Sequence, residues 1–417
     1  MIISCKLLVT MTSPPLVDTA LFIKEGKILA IGRREEIRER YPGEELRDYP
    51  NGVILPGLIN LHTHLEYSAL GDFKEPTPFM TWLEDLMVRT RELSAEAWEN
   101  SYRKGIGELK RCGVTTVVDI ARRAVGLNDL IASGLRALYC IEFVAVDDTR
   151  LPGDGEELDN TLKDALAKAE GTRVQIGLAP HSVYTLSKNA LSFIVQRARE
   201  KNLFLTIHLS ESQAESELIR HGGGPLKEFL SRYQLNTIPP GGCGISPATY
   251  LSECGALENR MAVSHAVRVD DADLRILQKR GIGVALCVRS NQLLQNGVAP
   301  VEKMRRSGLR CGIGTDSLAS NSSLDLFDEL RFFRDRYGGF SDEELLRMAT
   351  IDSAEILGLS EIIGSIQEGK KADLVVMNLK RTVGPSQVYQ YLIDEGRGED
   401  VLLSLVDGEV IFERGAT

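Results

Sequence analysis

The chain has 417 residues, 43% hydrophobic and 26% charged, with a formal net charge of −10. That length suits one large domain with an appendage, or two to three smaller domains. No apolar run approaches the roughly 18 residues of a membrane span, and the acidic balance argues against a duplex nucleic-acid partner.

The seven cysteines stand at 5, 112, 140, 243, 254, 287 and 311 without a Cys-x-x-Cys pair, and the first residues lack a basic stretch leading into an apolar one. Reduced thiols and a cytoplasmic location are therefore expected. Residues 1–55 read as short strands: Val17 to Ile31 alternates around a Lys24-Glu-Gly-Lys27 turn. Residues 364–417 look alike, with a strand at Ala372–Met377 and an Asp407-Gly408 hairpin turn between apolar runs. The two ends are expected to pair into one small β-sandwich, with residues 56–363 inserted between them.

The inserted part alternates apolar runs with helical patterns, as a parallel sheet does. Eight strands are predicted: Ile59–His64, Thr115–Ile120, Leu135–Phe143, Val174–Pro180, Phe204–Leu209, Met261–Val267, Gly283–Val288 and Arg310–Thr315. Helical patterns such as Ser94–Cys112, Lys188–Lys201 and Asp270–Gly281 lie between them, and several close on glycine. Eight β/α units over this length fit a (β/α)8 TIM barrel. An open doubly wound sheet is the competing architecture.

In such a barrel, chemistry collects at the C-terminal ends of the strands. The first predicted strand ends in His62-Thr-His64, the fourth runs into His181, the fifth ends in His208 with Glu211 three residues on, the sixth ends in His265, and the eighth ends in Asp316. Five of the six histidines thus fall at predicted strand ends. His62, His64, His208 and Asp316 form a plausible ligand set for one divalent metal, Zn2+ or Fe2+. A second metal would need another anionic ligand, and the fourth strand (Val174-Gln-Ile-Gly-Leu-Ala-Pro-His181) offers none. Asp119, at the end of the second strand, reads as a structural residue. Such a metal lowers the pKa of water toward about 7. Glu211 would then carry a proton from that water to the substrate, and His265 would assist. Alone, Glu211 also reads as a first-turn helix carboxylate beside a Ser210-x-x-Gln213 capping box. His221, before three glycines, reads as an exposed loop residue.

With these motifs in view, the chain resembles the amidohydrolase superfamily, in its branch of nucleoside and base deaminases and chlorohydrolases. The resemblance rests on Pro56-Gly-Leu-Ile-Asn-Leu-His-Thr-His64, Pro180-His-Ser-Val-Tyr-Thr185, His208-Leu-Ser-Glu-Ser212, Ser264-His265, Ser290-Asn291, Gly314-Thr-Asp-Ser-Leu-Ala-Ser-Asn321 and Gly364-Ser-Ile-x-x-Gly369-x-x-Ala-Asp-Leu374. It implies a (β/α)8 barrel with a flanking β-sandwich and one catalytic metal on His62, His64, His208 and Asp316. It implies Glu211 and His265 as proton-handling residues. Within the branch, His64-Leu-Glu-Tyr-Ser68, His208-x-x-Glu-Ser-x-x-Glu215, Gly222-Gly-Gly-Pro225 and Arg289-Ser-Asn291 look like aminodeoxyfutalosine deaminases of menaquinone biosynthesis. Deaminases of S-adenosylhomocysteine and methylthioadenosine are the alternative, followed by chlorohydrolases and deaminases of guanine, cytosine or triazines. Candidate contacts to a nucleoside substrate are His181, Glu66, Ser68, Trp82, Glu142, Arg122, Arg123 and Asn291. An arginine among them suits a substrate carboxylate. A homodimer is compatible with this reading. Arg289 stands where many relatives carry proline.

Overall fold

The computed structural model describes residues 1–71, 75–123, 125–235 and 237–415. Eight parallel strands make the central sheet: β1 (Leu58–Thr63), β2 (Val114–Ala121), β3 (Arg136–Phe143), β4 (Val174–Pro180), β5 (Phe204–Leu209), β6 (Met261–His265), β7 (Gly283–Leu286) and β8 (Cys311–Ile313). They are ordered in the sheet as in the chain. Nearly every residue in them is buried, because helices cover the outside and side chains fill the inside. The seam between β8 and β1 is bridged past the strand ends. Asp316 N donates to His62 O at 2.9 Å, while the Asn60 amide accepts from Thr315 N at 3.1 Å and donates to Thr315 Oγ1 at 2.7 Å. The barrel is the expected architecture.

Strands β6, β7 and β8 end earlier than the sequence suggests. Cys287 already stands at the N-cap of a helix, Val288–Leu293, so Ser290 and Asn291 are helical. The outer helices begin at polar caps that accept backbone N–H groups: Ser94 before Ala95–Arg111, Ser187 before Lys188–Glu200, and Asp270 before Asp271–Lys279. The barrel interior opposite the strand C-termini is filled by Ile59, Leu61, Val118, Ile120, Leu138, Cys140, Phe204 and the helix Ile351–Leu357.

The two ends of the chain share a second, seven-stranded sheet. Its spatial order is Glu409–Glu413, Val401–Val406, Leu374–Asn378, Leu46–Pro56, Ile2–Leu8, Leu16–Lys24 and Lys27–Arg33. The central pairing of Leu374–Asn378 with Leu46–Pro56 is antiparallel and joins the N-terminal to the C-terminal part. Both hairpin turns read from sequence are present, with Glu25-Gly26 and Asp407-Gly408 in left-handed backbone. Ion pairs tie this sheet to the N-terminal ends of the barrel strands. Arg136, at the start of β3, binds Asp373 at 2.8 Å and Asp407 at 2.8 Å, and Arg173 binds Asp407 at 2.9 Å.

Candidate metal and catalytic site

The site is built where the strands end. An unbroken pleat would send Leu61 and His62 to opposite faces of β1. Leu61 packs in the barrel interior, and a register shift between Asn60 and Thr63 lets His62 turn inward as well. Gly314 makes this close approach feasible, because a Cβ there would stand 2.7 Å from His62 Cβ. His64 follows β1, His208 lies on β5, His265 ends β6, and Asp316 follows β8. Three residues at these exits, Ser210, His265 and Asp316, have positive φ (51°, 71° and 60°). Such backbone is uncommon for residues with side chains and gathers at functional sites.

Four of the predicted ligands converge. One ring nitrogen each of His62, His64 and His208 lie within 4.8 Å of one another. His64 Nε2 and His208 Nε2 are 3.1 Å apart, and Asp316 Oδ1 lies 3.6 Å from His62 Nε2 and 3.8 Å from His64 Nε2. Three of these groups are also held by their surroundings. His208 Nδ1 donates to the His181 carbonyl at 2.8 Å, which leaves an electron pair on Nε2. His62 Nδ1 shares a hydrogen with Ser264 Oγ at 2.8 Å. Asp316 Oδ2 accepts from Ser290 and Ser320 hydroxyls at 2.7 and 2.8 Å, and Oδ1 accepts from Ser317 N at 2.8 Å. His62 Nε2 is buried without a hydrogen-bond partner. An orphaned imidazole nitrogen facing two others and a carboxylate fits a divalent cation, with the outer hydrogen bonds fixing each ring. Burial pushes the His62 pKa down to about 4 and that of His64 well below its usual range. Burial alone would raise the Asp316 pKa, but the neighbouring histidines, His62 first, hold it well below the usual range. Neutral imidazoles and an ionised carboxylate are the forms that bind metal.

Glu211 and His265 flank this cluster. Glu211 Oε1 accepts from Asn296 Nδ2 at 3.1 Å and lies 4.0 Å from His265 Nδ1. Burial raises the Glu211 carboxyl to about 7. His265 Nδ1 bonds to Asn291 Oδ1 at 3.0 Å, and burial lowers its pKa. With Nδ1–H donated to Asn291, the neutral ring keeps Nε2 as an acceptor.

A cavity of about 390 Å3 opens above the cluster. His64, His208, Glu211, His265 and Asp316 form part of its lining. The helix Phe79–Glu92 supplies Phe79, Trp82, Leu86 and Met87, and the helix Pro225–Arg232 supplies Phe229 and Leu230. Of the candidate substrate contacts, His181, Trp82, Glu142, Arg122 and Arg123 line the cavity. His181 Nδ1 is engaged by Ser182 and Thr185 hydroxyls at 3.1 and 3.0 Å. Trp82 Nε1 donates to Ala319 O at 2.6 Å. Arg122 pairs with Glu142 at 3.3 Å, and Arg123 lies over the Trp98 ring at 4.3 Å.

Three candidates lie elsewhere. Ser68 is buried against the helix Ala95–Arg111, donating to Leu65 O at 2.8 Å, with no room for a side chain at Gly105 beside it. Glu66 is wholly buried, and its carboxylate accepts from Arg122 N and Arg123 N at 3.2 and 3.3 Å. It shapes the loop that carries the arginines and does not face the cavity. Asn291 does not line the cavity and is bound to the site through His265. Asp119 is structural: it accepts from Leu65 N at 2.8 Å, Thr63 Oγ1 at 3.1 Å and the Tyr102 hydroxyl. The cap of the helix Gln213–His221 is Ser212, so no capping box runs from Ser210 to Gln213. His221 is exposed as expected, but ends that helix.

The profile described as Amidohydrolase family matches residues 53–411. The 5-methylthioadenosine/S-adenosylhomocysteine deaminase of Carboxydothermus hydrogenoformans is 31% identical over 95% of this chain and 89% of its own length. The protein of the same name from Pyrococcus furiosus is 31% identical over 96% and 92%. Among solved structures, Helicobacter pylori aminofutalosine deaminase in complex with methylthio-coformycin superposes with a TM-score of 0.89 at 24% identity, covering 99% of this chain and 100% of that one. An adenosine deaminase from Xanthomonas campestris with bound zinc gives 0.82 at 24% identity, over 98% and 92%. These two likenesses concern the fold.

Proposed function

The chain belongs to the amidohydrolase family, and from that premise we propose that it is a metal-dependent hydrolytic deaminase removing the 6-amino group of an adenine nucleoside. The observation that carries this reading is the placement of Glu211 and His265 beside the His62, His64, His208 and Asp316 cluster, at the closed end of one cavity. The chemistry a divalent cation supplies when held by those four residues is Lewis-acid activation of a water molecule. Zinc is the metal of this reading, with Fe2+ the alternative.

The remaining work falls to the chain. Glu211, whose carboxyl is pushed up by burial, is placed beside the cluster as suits a group that takes a proton and returns it. It would receive one water proton and deliver it to the ring nitrogen beside the attacked carbon, held in place by Asn296. His265, kept neutral by burial, presents Nε2 to the second proton, which would pass on to the departing amino group. Water oxygen bonds to the purine carbon, the carbon–nitrogen bond breaks, and the amino group leaves as ammonia, so water plus amine give oxo product plus NH3. Apolar and aromatic walls exclude bulk water and give the base and its substituent a surface to pack on.

Within this class the reading is 6-aminodeoxyfutalosine, a step in menaquinone biosynthesis. Arg122, Arg123 and Arg91 at the cavity wall suit a substituent that ends in a carboxylate. The curated relatives at 31% identity favour a second reading, the methylthioadenosine and S-adenosylhomocysteine deaminases. Ammonia release from aminodeoxyfutalosine, S-adenosylhomocysteine, methylthioadenosine and adenosine separates the two by kcat/KM. Turnover of none of the four, or chloride release from a chlorinated triazine in their place, overturns the deaminase reading.

A further inference from the structure

Glu215 occupies the third position of the helix Gln213–His221, and its backbone N–H is capped by Ser212 Oγ at 3.2 Å. In a capping box, the carboxylate at this position reaches back to the N–H of the cap residue. Here it reaches further. Glu215 Oε1 accepts from Ser210 N at 2.9 Å, and Oε2 accepts from Glu211 N at 2.8 Å. The side chain is buried at 1% exposure, and among the described residues no cation pairs with it. A carboxylate withdrawn from water without a counter-charge is costly to keep. Burial pushes its carboxyl up to about 8 while the Ser210 and Glu211 amides pull it back down, so what it obtains is two bonds to a single turn.

That turn is the one leading from His208 to Glu211. Ser210 sits in left-handed backbone at φ 51°, a conformation that needs support in a residue with a side chain. The other side of the turn is bound to the segment after β6: Arg268 N donates to Ser210 O at 2.8 Å and Ala266 N to Leu209 O at 3.0 Å. Strands β5 and β6, which carry His208 and His265, are thereby held in one register as they leave the barrel. Glu215 supplies the bonds from below.

We propose that Glu215 is a positioning residue whose carboxylate locks the Ser210–Glu211 turn in the conformation that delivers the Glu211 carboxyl to Asn296 and His265. This rests on the reading of Glu211 as the proton carrier. In Glu215→Gln, the side chain offers one acceptor oxygen and turns an N–H2 group toward the other backbone donor, so one of the two bonds is lost. The expected loss in kcat is about 10²-fold, the effect of a small misplacement of a reacting group, with KM and metal content close to those of the parent. In the Glu211→Gln background, Glu215→Gln lowers kcat no further, because the group it positions no longer carries protons.

A kcat within about twofold of the parent, or a second loss multiplying the first in the double variant, overturns the proposal. Amide hydrogen exchange reads the same turn without substrate. Exchange at Ser210 and Glu211 is expected to quicken in Glu215→Gln while β5 stays protected; unchanged exchange at both amides overturns this inference alone. Absence of nucleoside turnover in the parent overturns the deaminase reading instead. Should Glu215→Gln not fold, Glu215→Asp keeps the charge but is one methylene short of bridging both amides, and full kcat in it contradicts the proposal.

Discussion

At the scale of single residues, the clustered groups are held by hydrogen bonds from small polar neighbours. Asp316 offers Oδ1 to the histidine nitrogens while two serine hydroxyls hold Oδ2. Glu211 has one oxygen fixed by Asn296, and among the described residues no hydrogen bond engages the other. Glu211→Gln preserves size and polarity but removes the exchangeable carboxyl proton. Its expected kcat is lower by about 10²–10⁴-fold, the usual weight of acid–base catalysis. Metal analysis of the purified variant should give parental occupancy; near-normal ammonia release would remove Glu211 from the proton path. The histidines were legible in sequence because a rare residue type recurs at strand ends, and Asp316 and Glu211 because they closely follow such ends. Ser264, Ser290, Ser320 and Asn296, which orient them, were not. Small polar residues are common, and nothing in their spacing distinguishes a serine that holds a metal ligand from one that caps a helix. Glu66 and Ser68 misled for a related reason: proximity to His64 along the chain placed them near the site, but the short 3-10 helix Leu65–Leu70 turns both side chains away from the cavity.

At the scale of elements, strand ends place the ligands and helices close the pocket. The eight strands follow from apolar runs that any parallel sheet requires. The apolar wall given by Phe79–Glu92 has no such signature, since an amphipathic helix lining a cavity has the same pattern as one packed on a core. The helix Leu326–Tyr337 carries a buried carboxylate, Glu329, that braces the loop after β8. It accepts from Asn321 Nδ2 at 2.6 Å and Arg289 N at 3.3 Å. Burial raises its pKa from the ordinary 4.5 to about 7. Between those two values the folded protein keeps a proton that the unfolded chain has lost. Stability from this group is therefore fully present below about pH 4.5 and is lost as pH rises through about 7, a change on the order of 3 kcal/mol. Glu329→Gln cannot titrate. Its Tm should fall less steeply than that of the parent between about pH 5 and about pH 8; parallel Tm curves would show that Glu329 does not titrate in this range.

At the scale of the whole molecule, the sheet built from both chain ends is fastened to the end of the barrel remote from the chemistry. Both hairpins of that sheet were legible from their turn residues, but the fastening was not. Arg136, Arg173, Asp373 and Asp407 are far apart in sequence, and only the folded chain shows that they meet. Asp373 accepts two bonds from Arg136 and one from Asp407 N, and is 4% exposed. Asp373→Ala leaves a half-buried guanidinium short of a partner and is expected to cost about 3 kcal/mol of stability. Urea unfolding should show the lower midpoint, while kcat at 25 °C stays at the parental value because no site residue is touched. A large fall in kcat without loss of stability would mean that the two ends of the barrel are coupled.

In the proposed reaction, one divalent cation held by His62, His64, His208 and Asp316 serves deamination of an adenine nucleoside. Its most direct test is a metal titration: chelate the protein, return zinc in steps, and follow bound metal and ammonia release from the preferred nucleoside together. Activity is expected to vanish on chelation and to rise linearly to a plateau at one metal per chain, and His208→Ala is expected neither to bind that metal nor to recover. Ammonia release that survives chelation, or that begins only when a second metal binds, would contradict the proposed reaction.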